Sequence, residues 1–230
     1  MAVLSWMLAV VGILLQLAII AGLLRGAFRT YPFLMALMVT NFLGTVASMS
    51  AMSGVNHWTP HASRVFWICD TLQYLMIFAM QVHLLTQGLS GPKARRRVFY
   101  LIGGGMLFVA FATWGAYHPR MNLWMTQMVR NFSFGSMILN LALWTTLLRT
   151  PERSRLMITG AVGLLLAASA IGHSLRQMAQ GLVPLGNFLL VSSYFLYLFL
   201  LWRATVNYNA ERVANAAPSE GLHPAGSPLR

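Results

Sequence analysis

The chain has 230 residues, of which 57% are apolar and only 9% charged, and its formal net charge is +12. A soluble domain carries about 25% charged residues, so this composition excludes an ordinary soluble fold. Apolar stretches of roughly 20 residues, enough to cross ~30 Å of hydrocarbon, recur along the chain. The basic residues fall mainly between them, where membrane orientation and anionic lipid account for them and nucleic-acid binding does not.

The first helix is expected over Ala2–Leu24, with Gln16 near its middle. No basic residue precedes its apolar run, so it reads as a retained helix and not as a cleaved secretory signal. Arg25 and Arg29 follow, and Pro32 opens a second helix to about Ser53. A proline suits a first helical turn because its missing N–H would be unpaired there anyway. The polar stretch GVNHWTPHAS leads to a third helix, Val65–Gln87, which is followed by the basic loop LSGPKARRR. A fourth helix is expected over Val98–Tyr117 and a fifth over Leu123–Leu148. A sixth, Leu156–Gln180, follows the basic stretch RTPERSR, and a seventh covers Leu185–Trp202. The expected fold is therefore all-α, a polytopic bundle of seven transmembrane helices over residues 1–206. Residues 207–230, with Pro218, Pro224 and Pro228, read as a polar, disordered cytoplasmic tail.

Seven spans put the termini on opposite sides of the membrane. Twelve basic residues, Arg25, Arg29, Lys93 and Arg149 among them, fall at one set of helix ends. Four, Arg64, Arg120, Arg130 and Arg176, fall at the other. The positive-inside rule then places the N-terminus outside and the C-terminus in the cytoplasm, in the plasma (inner) membrane. Gly44 and Ser48, and likewise Ala168 and Gly172, are four residues apart, a spacing that lets membrane helices approach closely.

Helices one to three and five to seven would share an orientation around the fourth, and Leu23-Leu24-Arg25 and Leu147-Leu148-Arg149 end equivalent helices. This three-plus-one-plus-three layout is similar to that of SWEET-type sugar transporters, whose Pro-Gln signature is absent here. Tyr31-Pro32 at the start of the second helix and Phe66-Trp67 at the start of an acidic third helix resemble those of bacterial seven-helix membrane proteins without an assigned function. That resemblance implies the fold and no activity.

The third helix carries Asp70, the only acid within an apolar segment. A carboxylate inside a membrane helix is costly, so it is expected to face the protein interior and to have a partner. Tyr74 and Gln81 share its helical face, with Gln73 at the edge. In the sixth helix Ser169, His173, Arg176, Gln177 and Gln180 form one continuous polar face. Arg130, Ser133 and Asn140 do so in the fifth, Asn41, Thr45 and Ser48 in the second, and Asn187 and Tyr194 in the seventh. At ~1.5 Å per residue, Asp70, Arg130 and His173 lie at similar depth, on the order of 10 Å below the outer surface.

The expectation is a polar core open to the outside, with Asp70 paired to Arg130 or Arg176. The surplus arginine, a planar fork, suits a carboxylate or phosphate. The candidate ligand-binding residues are Asp70, Tyr74, Arg130, His173, Arg176 and Gln177. The competing reading has the arginines snorkelling to the interface, Asp70 locking helices together and His173 as a hydrogen-bonded interior histidine.

Little catalytic chemistry survives inspection. A retinal pigment needs a lysine in its last helix, and Lys93, the only lysine, falls in a loop. A membrane zinc hydrolase would draw on His57, His61, His118, His173 and Asp70, but Pro60 breaks the His57–His61 spacing. His83 and His173 belong to opposite ends and cannot share a haem. No cofactor, metal or catalytic residue is expected. The best functional reading is a receptor- or sensor-like bundle that binds a small polar or anionic ligand from the outer side, with anionic lipids at its cytoplasmic basic loops. A small solute transporter and an accessory subunit bound to a membrane-protein partner are the alternatives, and a zinc hydrolase the most remote.

Overall fold

A computed structural model describes residues 2–52, 60–88, 121–148 and 152–216, together with 96, 99, 100, 102–104, 106, 107, 110 and 114. The described residues form helices and short turns, with no strand. Six long helices have defined bounds: α1 Ala2–Leu24, α2 Pro32–Met52, α3 Pro60–Gly88, α4 Met121–Leu147, α5 Arg153–Met178 and α6 Val183–Ala216. Short 3-10 turns, Ala27–Arg29 and Gln180–Leu182, join α1 to α2 and α5 to α6.

Five of these helices, all but α4, are long and apolar enough to cross a membrane. Arg130, Asn131 and Asn140 interrupt the apolar character of α4. The distribution of side chains is that of a membrane protein. Leu14, Leu43, Ile68, Ile138, Leu141 and Phe188 are among the large apolar residues on the outside, while Gln16, Asn41, Gln81, Ser136, Asn140 and Thr159 are buried within. A water-soluble surface does not expose apolar area on this scale, whereas hydrocarbon solvates it.

The helices form a closed ring in chain order, each packed on the next, and α6 returns to pack on α1. Pair contacts fix their directions. Gly44 meets Cys69 and Phe33 meets His83, so α2 and α3 are antiparallel. The Arg130–Gln177 and Asn140–Thr159 bonds make α4 and α5 antiparallel. Phe132 stacks edge-on against Tyr74 and Phe78, and Gln81 bonds the Ser136 carbonyl, so α3 and α4 are parallel. Gln16–Tyr194 and Gly22–Asn209 make α1 and α6 parallel as well. The triplets α1–α3 and α4–α6 thus have the same orientation, as the matched-triplet layout requires. Parallel neighbours cannot be joined by a short loop, and residues 89–120 separate α3 from α4. Most of the expected fourth helix, Val98–Tyr117, lies outside the described residues. Those described within it, such as Ile102, Gly103, Gly104, Met106 and Ala110, are helical.

Four helices begin earlier than expected, α6 at Val183 among them. Pro60 opens α3, serving the first turn as Pro32 does for α2. The basic residues Arg153 and Arg155 belong to α5 and not to a loop, and Met121 starts α4. The largest difference is at the end of α6. It continues to Ala216, well into the stretch expected to be a disordered tail, of which 217–230 lie outside the described residues. Tertiary partners hold the extension. Asn209 Nδ2 donates to the Gly22 carbonyl at 2.8 Å, and the Tyr208 hydroxyl lies 2.7 Å from Thr30 Oγ1.

The basic end of the ring is tied by one polar cluster. Tyr208 packs edge-on against Tyr31 with 5.5 Å between centroids. The Tyr31 hydroxyl donates to Glu152 Oε1 at 3.3 Å, and Glu152 pairs with Arg155 at 2.7 Å. Burial, with the Glu152 charge adding to it, raises the Tyr31 phenol well above its ordinary value. One tyrosine at the α1–α2 turn therefore links the starts of α2 and α5 to the end of α6.

Candidate functional site

The face of α3 that carries Asp70 looks toward α2. Gly44 makes this approach close, since a Cβ there would stand 3.2 Å from Cys69 Cβ. Beside that contact lies a cavity of about 320 Å³ between α2, α3 and α6. Asp70 and Gln73 line it from α3, Asn41, Thr45 and Ser48 from α2, and Tyr194 from α6. No lysine or arginine is among its described lining residues.

The expected ion pair is not there. The ion pair found among the described residues is Glu152–Arg155, and it involves neither Asp70 nor its proposed partners. Arg130 instead donates Nη1 to Gln177 Oε1 at 2.6 Å, across α4 and α5. The stem of Arg176 lies over Gly186, where a Cβ would come within 2.9 Å of its Cγ. Depth along the membrane normal suggests that these groups could meet. Their directions around each helix decide otherwise, because Asp70 looks into the α2 side of the ring while both arginines sit at the α4–α6 side.

The cavity wall holds a network outside the candidate set. Gln16 is fully buried in α1, and its Nε2 donates to the Tyr194 hydroxyl at 2.6 Å and to Thr45 Oγ1 at 3.3 Å. Thr45 passes its own proton to the Asn41 carbonyl at 2.8 Å. Asn41 is 4% exposed, and its side-chain amide faces the buried Tyr197 hydroxyl, close enough to bond it. Gln16 Oε1, behind Thr45 and Tyr194, is buried without a partner among the described residues. Buried polar groups in native interiors are nearly always bonded, so an open acceptor there suits a water. Gln16 stands alone in an apolar helix, and that isolation is the sequence signal that points to it.

Tyr74 is one turn beyond Asp70 but serves a different group. Its hydroxyl bonds Ser169 Oγ, and Ser133 Oγ lies 3.3 Å from Ser169. The Ser133 hydroxyl also donates to the Val129 carbonyl at 2.8 Å. The result is a cluster of hydroxyls joining α3, α4 and α5. His173, one turn along α5 from Ser169, is 9% exposed, with its Nδ1 buried and without a partner among the described residues.

The six candidate residues therefore occupy three places. Asp70 is in the α2–α3–α6 cavity, Tyr74 is in the hydroxyl cluster, and Arg130 and Gln177 form a bonded pair at the end of α4 and α5 where His173 and Arg176 also lie. Among the described residues no cluster of three histidine, cysteine or acidic side chains could hold a metal ion. His57 and His118 lie outside the described residues, as does Lys93. Among the described residues, the Asp70 cavity offers one carboxylate with no basic side chain lining it, two amides and several hydroxyls. Such a set can bind cationic or hydrogen-bonding groups, or hold a proton. No family model, curated protein or solved structure matches this chain.

Proposed function

We propose that this chain is a receptor- or sensor-like membrane bundle that binds a small polar ligand in the Asp70 cavity. Its N-terminus would be outside and its C-terminus in the cytoplasm of a plasma (inner) membrane, as the twelve-to-four distribution of basic residues supports. The observation that carries the ligand reading is a carboxylate, Asp70, with no ion-pair partner among the described residues, set with Asn41, Thr45, Ser48 and Tyr194 around one cavity of about 320 Å³. The same observation selects among ligands. A cavity with one acid and no base favours an amine or a polyol over the anion that the arginines suggest.

A transporter is the second reading, and the equal orientation of α1–α3 and α4–α6 favours it. Parallel repeats place transporter sites near the midplane between the two halves.

The test is a thermal-shift screen of the protein in nanodiscs against primary amines, polyols and carboxylic acids. Amines or polyols should stabilise wild type and lose their effect in Asp70→Asn. Carboxylic acids that act through Arg130, and lose their effect in Arg130→Gln, would move the site to the end of α4 and α5. Flux of a hit into proteoliposomes would replace sensing by transport. Asp70→Asn should itself leave the melting temperature unchanged or raise it, since no ion pair is broken. A loss of about 3–5 kcal/mol, the cost of stranding a buried charge, would reveal a partner for Asp70.

A further inference from the structure

The two parallel seams of the ring are finished differently. Along the seam of α3 and α4, Met106, Ala110 and Trp114 of the chain itself line a cavity with Thr71, Leu75 and Phe132. Along the seam of α1 and α6, no described residue from another helix lines the outer groove. That groove has two continuous parts. One, of about 360 Å³, is apolar and is walled by Val11, Leu14, Ala18, Phe199 and Trp202. Ala18 and Trp202 also wall the second, of about 990 Å³, which ends between Arg25 and Arg212. From Val11 to Arg25 the groove follows ~21 Å of helix axis at ~1.5 Å per residue. One leaflet of a bilayer contributes ~15 Å of hydrocarbon, with the headgroup layer beyond it.

The charged end is built. Arg212 reaches from α6 over the turn that follows α1. Gly26 there has φ +135°, and a Cβ on it would stand 1.7 Å from Arg212 Nη1, so only glycine leaves room for the guanidinium. Arg25, the next residue back, stands on the same rim. Both arginines are exposed, and neither forms an ion pair among the described residues; Glu211, also exposed, pairs with neither. Two like charges converge on a rim where no described acid pairs with either, above an apolar channel of leaflet depth. Trp202 flanks the junction of the two parts, opposite Ala18.

We propose that the α1/α6 groove is a site for one anionic phospholipid. The phosphate lies between Arg25 and Arg212, whose planar forks suit it. One acyl chain runs along Ala18 and Leu14 toward the membrane centre. The lipid would then do for this seam what Met106, Ala110 and Trp114 do for the other. The site is separate from the Asp70 cavity and depends only on the protein's being in a membrane.

The test uses the full chain in nanodiscs and the fluorescence of its tryptophans, with brominated phosphatidylglycerol or brominated phosphatidylcholine as quencher. Brominated phosphatidylglycerol should quench at roughly tenfold or more lower mole fraction, since each surface arginine adds to the attraction for anionic lipid. The component of quenching lost in Trp202→Phe should account for that preference. In Arg25→Gln/Arg212→Gln the preference should fall to near unity, while Arg29→Gln should retain it. Ala18→Leu, which fills the channel and keeps both charges, should weaken quenching by both lipids. Inorganic phosphate at millimolar concentration should not compete; competition would assign the rim to a free anion and overturn the lipid site. Equal quenching by the two lipids in wild type would overturn it without any variant. So would a preference unaltered in the double variant, or a lipid-free dimer closed over this groove.

Discussion

Helix α6 has two flanks, and they are packed on opposite principles. Against α5 it makes a backbone contact. A Cβ on Gly186 would stand 2.8 Å from the Gly172 carbonyl, and one on Gly172 would stand 2.7 Å from Leu190 Cγ. Against α1 it is held apart by side chains and leaves the groove that ends at Arg25 and Arg212. Dispersion between close-packed surfaces is the main attraction between helices in lipid, where burial of apolar area gains little. The tight flank therefore supplies cohesion. The loose flank is tied at separate points, by Gln16 to Tyr194 and Asn209 to Gly22, with space between.

That contrast breaks most visibly at Gly186. Gly186→Ala puts a methyl against a backbone carbonyl that has nowhere to go, and should cost about 1–3 kcal/mol in reversible unfolding in detergent. Gly186→Val should cost more; a neutral result for both would mean that the two flanks are equally loose. Gln16→Leu attacks the other flank at its buried tie. Interhelical hydrogen bonds in membranes average ~0.6 kcal/mol and reach ~1.7, so the loss should fall in that interval, with part of it from the stranded Tyr194 hydroxyl.

A smaller, pH-dependent effect should appear at the basic end of the loose flank, where Tyr208 meets Tyr31. The folded state raises the Tyr31 phenol, so its stabilisation is fully present below the unfolded value of about 10 and is lost as the pH rises above it. Unfolding midpoints followed between pH 8 and 11 should fall in wild type and fall less in Tyr31→Phe. Equal slopes would detach this cluster from the stability of the bundle. The smallest effect belongs to Gly22→Ala on α1. Its new methyl would stand 3.2 Å from Thr205 Oγ1, the end of a small side chain that can yield a few tenths of an ångström. A change within about 0.5 kcal/mol is expected, the size usual for a substitution with no buried conflict. A loss as large as that of Gly186→Ala would show the α1 flank to be just as close.

The small-residue spacings are legible in the sequence. Gly44 does meet Cys69 closely, and Gly172 does lie at a close contact with α6. The partner of Gly172 is not legible there, because Gly186 lies at the start of an apolar run, where no periodicity reveals which surface it faces. The Asp70 site is legible in part. Its residue, its depth and the polar faces of Asn41, Thr45, Ser48 and Tyr194 are all visible as helical spacing, and the structure brings them together around Asp70. Arg130 and Arg176 join Asp70 in the sequence only because their depths match, and depth says nothing about the direction in which a side chain leaves its helix.

The sequence by itself determined what solvates this protein and where α1 and α2 begin. Hydropathy and proline position are local quantities, so α1 runs over Ala2–Leu24 and α2 starts at Pro32 as expected. The tertiary structure alone decided the ring order, the parallel seams and the separation of Asp70 from Arg130 and Arg176. It also decided that α6 outlasts its apolar stretch, because Tyr208 and Asn209 find partners on the α1–α2 turn and on α1. Each of these depends on the rotation of one helix against another, which is set by packing between residues far apart in the chain.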